Sequence, residues 1–428
     1  MSERLQVYLS TLPVGAIDVS DDGHCRFTFH RSYRENPKRP VLGQHFEDNL
    51  DRSFSTHTSV PPFFANLLPE RDSMLRRLIA DKLSVHQERE SFLLSYLGED
   101  LTGAVRVLPD DGEPNDNEYS DSAGWTNGGD ANGRQLALGN NEPSLRFSLA
   151  GLQLKFSMLN RGHGLTLPAR GELGDWIVKL PDTRLLRVPE RELATMSWAR
   201  ASGIAVPPCR LVPVAALSGL PTQVPTSLID KDAFAIERFD RTTESGRVHQ
   251  EDFAQVFNLY PHQKYQQYNY ESIASVILHS AGRAALDDFL CRFVFVVLSG
   301  NADAHHKNWS LRYPDGVQAT LAPAYDQIST ILYPDVDRQL ALNFARSKSF
   351  ERVSLSGFRR LARKLTGTSP ASIGEDEICA HIAQAGQRIA DAWSAGWRDF
   401  GYDEADRALI EQHWATLELV HEIGILRR

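Results

Sequence analysis

The chain has 428 residues, 42% hydrophobic and 24% charged, which is apolar material for two or three domains of ordinary size. Its formal net charge of -9 excludes a global attraction to nucleic acid or anionic membrane and leaves only a local basic patch for such a role. Four cysteines (Cys25, Cys209, Cys291, Cys379) stand far apart without C-x-x-C spacing, which argues against a zinc site and for reduced thiols. The stretch MSERLQVYLS has no apolar leader core, and the apolar run around Val294 to Leu298 is too short to span a bilayer, so a cytoplasmic location without membrane contact is expected.

In chain order, LQVYLSTLPVGAIDV and HCRFTFH predict short strands, while MLRRLIADKL and SFLLSYLG carry helical spacing. Residues 1–109 therefore form a small α+β unit. Asp110 to Arg134 is rich in Asp, Asn and Gly with little to bury, and predicts a flexible insertion over about residues 110–140. Next, LQLKFSML, DWIVKLP and AFAIERFD predict strands around the helical segment RELATMSWARASG, a β-rich lobe over 141–250. From Glu251 to the end, helices dominate. Leu286, Phe289, Leu290, Phe293, Val294, Val297 and Leu298 fall on one 3.6-residue stripe, as do Ile378, Ile382, Ala385, Ile389 and Trp393.

The chemistry concentrates in Ser299 to Asn308, SGNADAHHKN, directly after the apolar run FLCRFVFVVL. Asp303 and Asn308 have the D-x-x-x-x-N spacing by which a phosphotransferase loop sets a carboxylate at the acceptor hydroxyl and a carboxamide at a metal ion. The same residues would also serve as turn caps. WSLRY, a turn at Pro314-Asp315-Gly316 and the return strand VQATLAPAYD predict a hairpin that brings Asp326 beside the loop as a second oxygen ligand. Mg2+ takes one or two protein oxygens and completes its octahedron with phosphate and water, which suits Asn308 plus Asp326. Upstream, S-L-A-G at Ser148, Leu149, Ala150 and Gly151 is a small-residue loop, followed by Lys179 inside the strand WIVKLP. A lysine in a strand either faces water from an edge or has a partner, and an ATP phosphate is one such partner.

FSLAGLQLKFS, DWIVKLP, AIERFDR, HQEDFAQVF, SGNADAHHKNWSL and LAPAYDQIST together resemble the HipA family of serine/threonine kinases, the toxins of bacterial toxin-antitoxin pairs. PPFFANLLPE and LGEDLTGAVRV extend the resemblance to the family's N-terminal subdomain. It implies an α+β, two-lobed, protein-kinase-like fold with ATP and Mg2+ as cofactors. It further implies Asp303 as catalytic base, Asn308 and Asp326 as metal ligands, Lys179 on the ATP phosphates, and Glu237 to Phe239 as the hinge meeting adenine. Ser148 matches the autophosphorylated serine of the phosphate-covering loop and Lys155 the lysine of its SLAGxQxK pattern, although Leu154 stands where many members are acidic. His305 is expected to orient the catalytic loop through a ring hydrogen bond, and Lys307 joins it among the nucleotide-site residues. Glu251 and Asp252 match a family motif without an assigned step. The implied partners are a small helix-turn-helix antitoxin of the HipB kind, which alone would touch DNA, and a protein substrate such as an aminoacyl-tRNA synthetase. A small-molecule or lipid kinase shares the loop spacing, and an antitoxin-binding pseudokinase is the alternative without chemistry.

Overall fold

The computed structural model describes residues 3–110, 154–162, 164–169, 172–182, 185–242, 246–366 and 372–425. The expected insertion, apart from Asp110, and the Ser148 to Gly151 loop lie outside the described residues.

Strands β1 (Glu3–Leu9), β2 (Leu12–Val19), β3 (His24–Phe29), β4 (Phe54–His57) and β5 (Val105–Pro109) form an antiparallel sheet in the order β4-β3-β2-β1-β5. Alternation decides which face is buried: Leu5, Val7 and Leu9 of β1 and Cys25, Phe27 and Phe29 of β3 point into the core. The helices Met74–Lys82 and Glu90–Leu97 contribute Leu75, Ile79, Leu93, Leu94 and Leu97 to the same core. Ser73 caps the first of them by accepting from Arg76 N–H.

A second antiparallel sheet contains β6 (Lys155–Asn160), β7 (Leu165–Thr166), β8 (Trp176–Lys179), β9 (Cys209–Pro213) and β10 (Asp232–Glu237), in the order β7-β6-β8-β10-β9. Phe156, Met158 and Val178 share one apolar cluster with the first sheet, so the N-terminal unit packs directly on this lobe. The helix Val188–Ala201 follows β8 in sequence and packs on two sides, its Met196 against Phe234 and Ile236 of β10. Its Trp198 lies against Phe295 and Trp393, with ring centroids 5.0 and 4.7 Å away, inside the core of the helical lobe. That helix therefore ties the small lobe to the large one.

In the helical lobe, Tyr270–Ser299 is broken at Gly282, where φ is 80°. The expected stripe from Leu286 to Leu298 is only part of what is buried: every residue from Phe289 to Ser299 is inside. The segment is the lobe's central rod, flanked by Glu375–Phe400 and Glu404–Thr416, and a helix covered on all sides is apolar nearly all round, with buried Arg292 paired to Asp288. Ile378, Ile382, Ala385, Ile389 and Trp393 do line the inward face of Glu375–Phe400. A short third sheet, β11 (His249–Asp252), β12 (Ser310–Tyr313) and β13 (Thr320–Leu321), holds the expected hairpin. Asp315 closes its turn by accepting from the amides of Val317 and Gln318 at 2.9 and 2.7 Å.

Candidate active site

The buried rod ends at Gly300, whose φ of 62° and contact with Ile331 leave no room for a side chain: a Cβ there would lie 2.6 Å from Ile331. The loop that follows is held by specific bonds. Ala302 N–H donates to Thr330 Oγ1 at 2.7 Å, Asp303 N–H to Asn301 Oδ1 at 3.0 Å, and Tyr270 O–H to Ala304 C=O at 2.9 Å. Asn308 Nδ2 donates to Asp303 C=O at 2.9 Å, so the D-x-x-x-x-N pair is closed into one unit. With its nitrogen used in this way, Asn308 has the carbonyl Oδ1 left for a cation. The Asp303 side chain is 51% exposed at the cleft. Burial by the surrounding wall raises its pKa, opposed by the Tyr265 hydroxyl that donates to Oδ1 at 2.6 Å.

Opposite the loop, β8 pairs Lys179 with Lys155 of β6 and with Phe234 of β10. Two lysines directly across an antiparallel pair repel each other. Carboxylates offset this. Lys179, 5% exposed, forms ion pairs with Glu192 of the helix Val188–Ala201 and with Asp326. The two carboxylates raise the Lys179 pKa against burial, and the Lys179 and Lys155 charges hold Asp326 well below the usual carboxylate range against its own burial. Burial holds the Lys155 ammonium below its ordinary value, with Asp326 opposing. Asp326 has a φ of 52°, a conformation unusual for a non-glycine residue and typical of positions kept for function.

These groups line a cleft of about 740 Å3 together with Glu237, Phe239 and Tyr325. Such a volume matches a small-molecule or cofactor site. The end of β10 is fixed by Glu237 N–H donating to Pro208 C=O and Arg238 N–H to Asp175 C=O, at 2.9 and 2.8 Å. Phe239 packs on Tyr325 with ring centroids 5.6 Å apart. Asp326 and Asn308 Oδ1 form a hard oxygen donor set of the kind Mg2+ accepts alongside phosphates. Among the described residues no three His, Cys, Asp or Glu side chains gather into a metal cluster, and two oxygens do not require one.

Comparison with known proteins identifies the lineage. Residues 147–393 match the HipA-like C-terminal domain and residues 5–108 the HipA N-terminal domain. The chain belongs to the HipA family. It is 40% identical to the Sinorhizobium fredii protein named "Putative kinase Y4dM" over 98% of both chains. It is also 26% identical to the serine/threonine-protein kinase toxin HipA of Shewanella oneidensis, over 67% of both. The fold is that of the Shewanella oneidensis MR-1 HipA, HipB and operator DNA complex, with a TM-score of 0.69 and 19% identity over 98% of this chain and 99% of that one. The HipA-family relatives give the chain a kinase-like function, with the nucleotide and metal use general to kinases.

Lys155, Lys179, Glu237, Phe239, Asp303, His305, Lys307, Asn308 and Asp326 all line the one cleft. Two of the family expectations change in detail. Lys307 is not free to face a phosphate, because its ammonium donates to Asn66 C=O, Asn66 Oδ1 and Asp252 Oδ2 at 3.1, 2.8 and 2.9 Å. It pins the N-terminal subdomain to the loop instead. His305 makes no ring hydrogen bond among the described residues: Nε2 is 4.0 Å from Asp303 Oδ1 and Nδ1 has no partner. Its ring stacks edge-on against Tyr265, centroids 5.0 Å apart, and burial keeps it neutral. Sequence reasoning passed over Glu192, Tyr265 and the Glu70–Lys264 ion pair at 2.8 Å. The signal for Glu192 was present, an acidic residue in the first helix after the lysine strand. Nothing local marked the others. A charged network after β10 was also missed: buried Arg238 bonds Asp240, Asp100 and Ser157, and Arg241 bonds Asp100.

Proposed function

We propose that this HipA-family protein is an ATP- and Mg2+-dependent serine/threonine protein kinase that acts as a growth-inhibiting toxin. The observation that carries this reading is one cleft with Lys179, Glu192 and Asp326 on one wall and the closed Asp303–Asn308 loop on the other. Asp303 has Oδ1 engaged by Tyr265, so Oδ2 is the oxygen that accepts the proton of an acceptor hydroxyl. Lys179 orients Asp326, and Asp326 with Asn308 Oδ1 would hold a metal ion that would neutralise phosphate charge. Glu237 and Phe239 would meet the base of the nucleotide at the hinge. Lys155 adds a second cation on the wall where phosphates would lie.

A HipB-like antitoxin as partner is supported by the Shewanella oneidensis complex, which contains HipB and operator DNA. A translation component such as an aminoacyl-tRNA synthetase as substrate, and Ser148 as the site of autophosphorylation, rest on the family resemblance. The intact set Lys179, Asp303, Asn308 and Asp326 favours chemistry over a pseudokinase role. The test is incubation with γ-labelled ATP, Mg2+ and cell lysate, with Asp303→Asn in parallel. Label on a lysate protein that the variant does not produce supports the reading; no transfer by the wild type, or equal transfer by both, removes it.

A further inference from the structure

A second depression, of about 530 Å3, lies in the helical lobe and is lined by Arg346, Arg352, Arg360, Ser354, Ser356 and the rim residue Glu418, among others. The guanidinium groups of the three arginines have no ion pair or hydrogen bond among the described residues. Their neighbours Arg359 and Arg363, on the helix Leu355–Leu365, are paired with Asp376 and Glu375. In a chain with net charge -9, three unpaired guanidiniums against the single carboxylate of Glu418 make this hollow locally cationic.

The backbone supplies an independent observation. Phe344 and Ser347 exchange both main-chain hydrogen bonds, at 2.8 and 3.0 Å, across the turn residues Ala345 and Arg346. Both turn residues have positive φ, 49° and 71°, the pattern of type I′ turns that ordinarily take Asn-Gly. Glu271 Oε1 holds this turn by accepting from Ala345 N–H at 3.2 Å. An arginine kept where glycine is conformationally preferred points to a use for its side chain. Ser354, 4% exposed, does not cap the helix it precedes; its hydroxyl meets Ser356 Oγ at 2.9 Å in the wall of the hollow.

We propose that this hollow is a recognition site for a phosphate monoester, bound by the forks of Arg346, Arg352 and Arg360 and the hydroxyls of Ser354 and Ser356. Guanidinium forks match phosphate oxygens in pairs, and hydroxyls complete the donor set. A dianionic monoester fits three cations in one confined hollow, whereas a nucleic-acid backbone needs an extended basic stripe. The site is separate from the cleft and does not depend on the proposed kinase reading.

The experiment is calorimetric titration of the full chain with O-phospho-L-serine and, separately, inorganic phosphate, with serine and a short random DNA duplex as controls. The deciding variant is Arg346→Gly, which relieves the turn while removing a fork. It is expected to melt higher than wild type and to bind O-phospho-L-serine about tenfold more weakly, the loss of one charge-assisted contact. Arg352→Gln/Arg360→Gln, with unchanged folding, is expected to abolish the same binding event. Phosphate binding in the cleft survives both variants and is thereby separated. Unchanged affinity in Arg346→Gly, absence of a binding event that depends on the arginines, or preference for DNA over the monoester overturns the proposal. Equal binding of inorganic phosphate and O-phospho-L-serine supports it and identifies the phosphate group alone as the determinant.

Discussion

Tyr265 donates its hydroxyl to Asp303 Oδ1 at 2.6 Å, and its neighbour Lys264 is anchored by Glu70 of the N-terminal subdomain at 2.8 Å. The carboxylate proposed as base is thus oriented from outside its own loop. Tyr265 also lowers the Asp303 pKa, against burial that raises it. In Tyr265→Phe the Asp303 pKa rises, so the acid limb of the kcat profile is expected to move to higher pH while KM for ATP stays nearly constant. Phosphoryl transfer measured across pH checks this. A fall in rate without movement of the limb would mean that Tyr265 only packs.

Asp303→Asn keeps the shape of the loop, because Asp303 C=O, not its side chain, holds Asn308. The expected result is phosphoryl transfer reduced roughly 100- to 10,000-fold with an unchanged melting temperature, read by labelled transfer and calorimetry. Asp326→Asn differs in kind: it removes a charge that Lys179 faces, and weaker Mg-ATP binding is expected, read by titration.

Lys179 sits buried between Glu192 and Asp326, so truncating it leaves a buried carboxylate without its counter-charge. Lys179→Met is expected to cost about 3–5 kcal/mol by denaturant unfolding. The double variant Lys179→Met/Glu192→Leu is expected to recover much of that loss, since removing both partners also removes the desolvation cost. Additive losses in the double variant would contradict the pairing.

Glu251 joins the N-terminal subdomain to β11 by accepting from Gln44 N–H at 2.9 Å and Tyr313 O–H at 2.5 Å. Burial lifts its carboxyl from 4.5 to about 8. A carboxyl that holds its proton more tightly when folded stabilises the fold fully below 4.5 and loses that contribution as pH climbs through 8. The melting temperature of the wild type is therefore expected to fall across that window more steeply than that of Glu251→Gln. Parallel pH profiles would show that Glu251 is ionised in the fold.

What the sequence by itself determined was local. Apolar residues at alternate positions made β1 and β3 legible, helical spacing marked Glu375–Phe400, and Asp303 with Asn308 could be paired because one short loop holds both. The tertiary structure alone decided what each charge faces. Lys307 is a residue type suited to phosphate, yet Asn66, 241 positions away, takes its ammonium. Glu70 reaches Lys264 across 194 positions and Tyr265 reaches Asp303 across 38. Periodicity reports only which face of an element avoids water, whereas the partner of a buried charge depends on which distant surfaces pack together, and no local pattern encodes that. For the same reason, the sequence places the helix Val188–Ala201 with the β-rich lobe, where Met196 meets Phe234, but does not show that Trp198 lies against Trp393, 195 positions on, in the core of the other lobe.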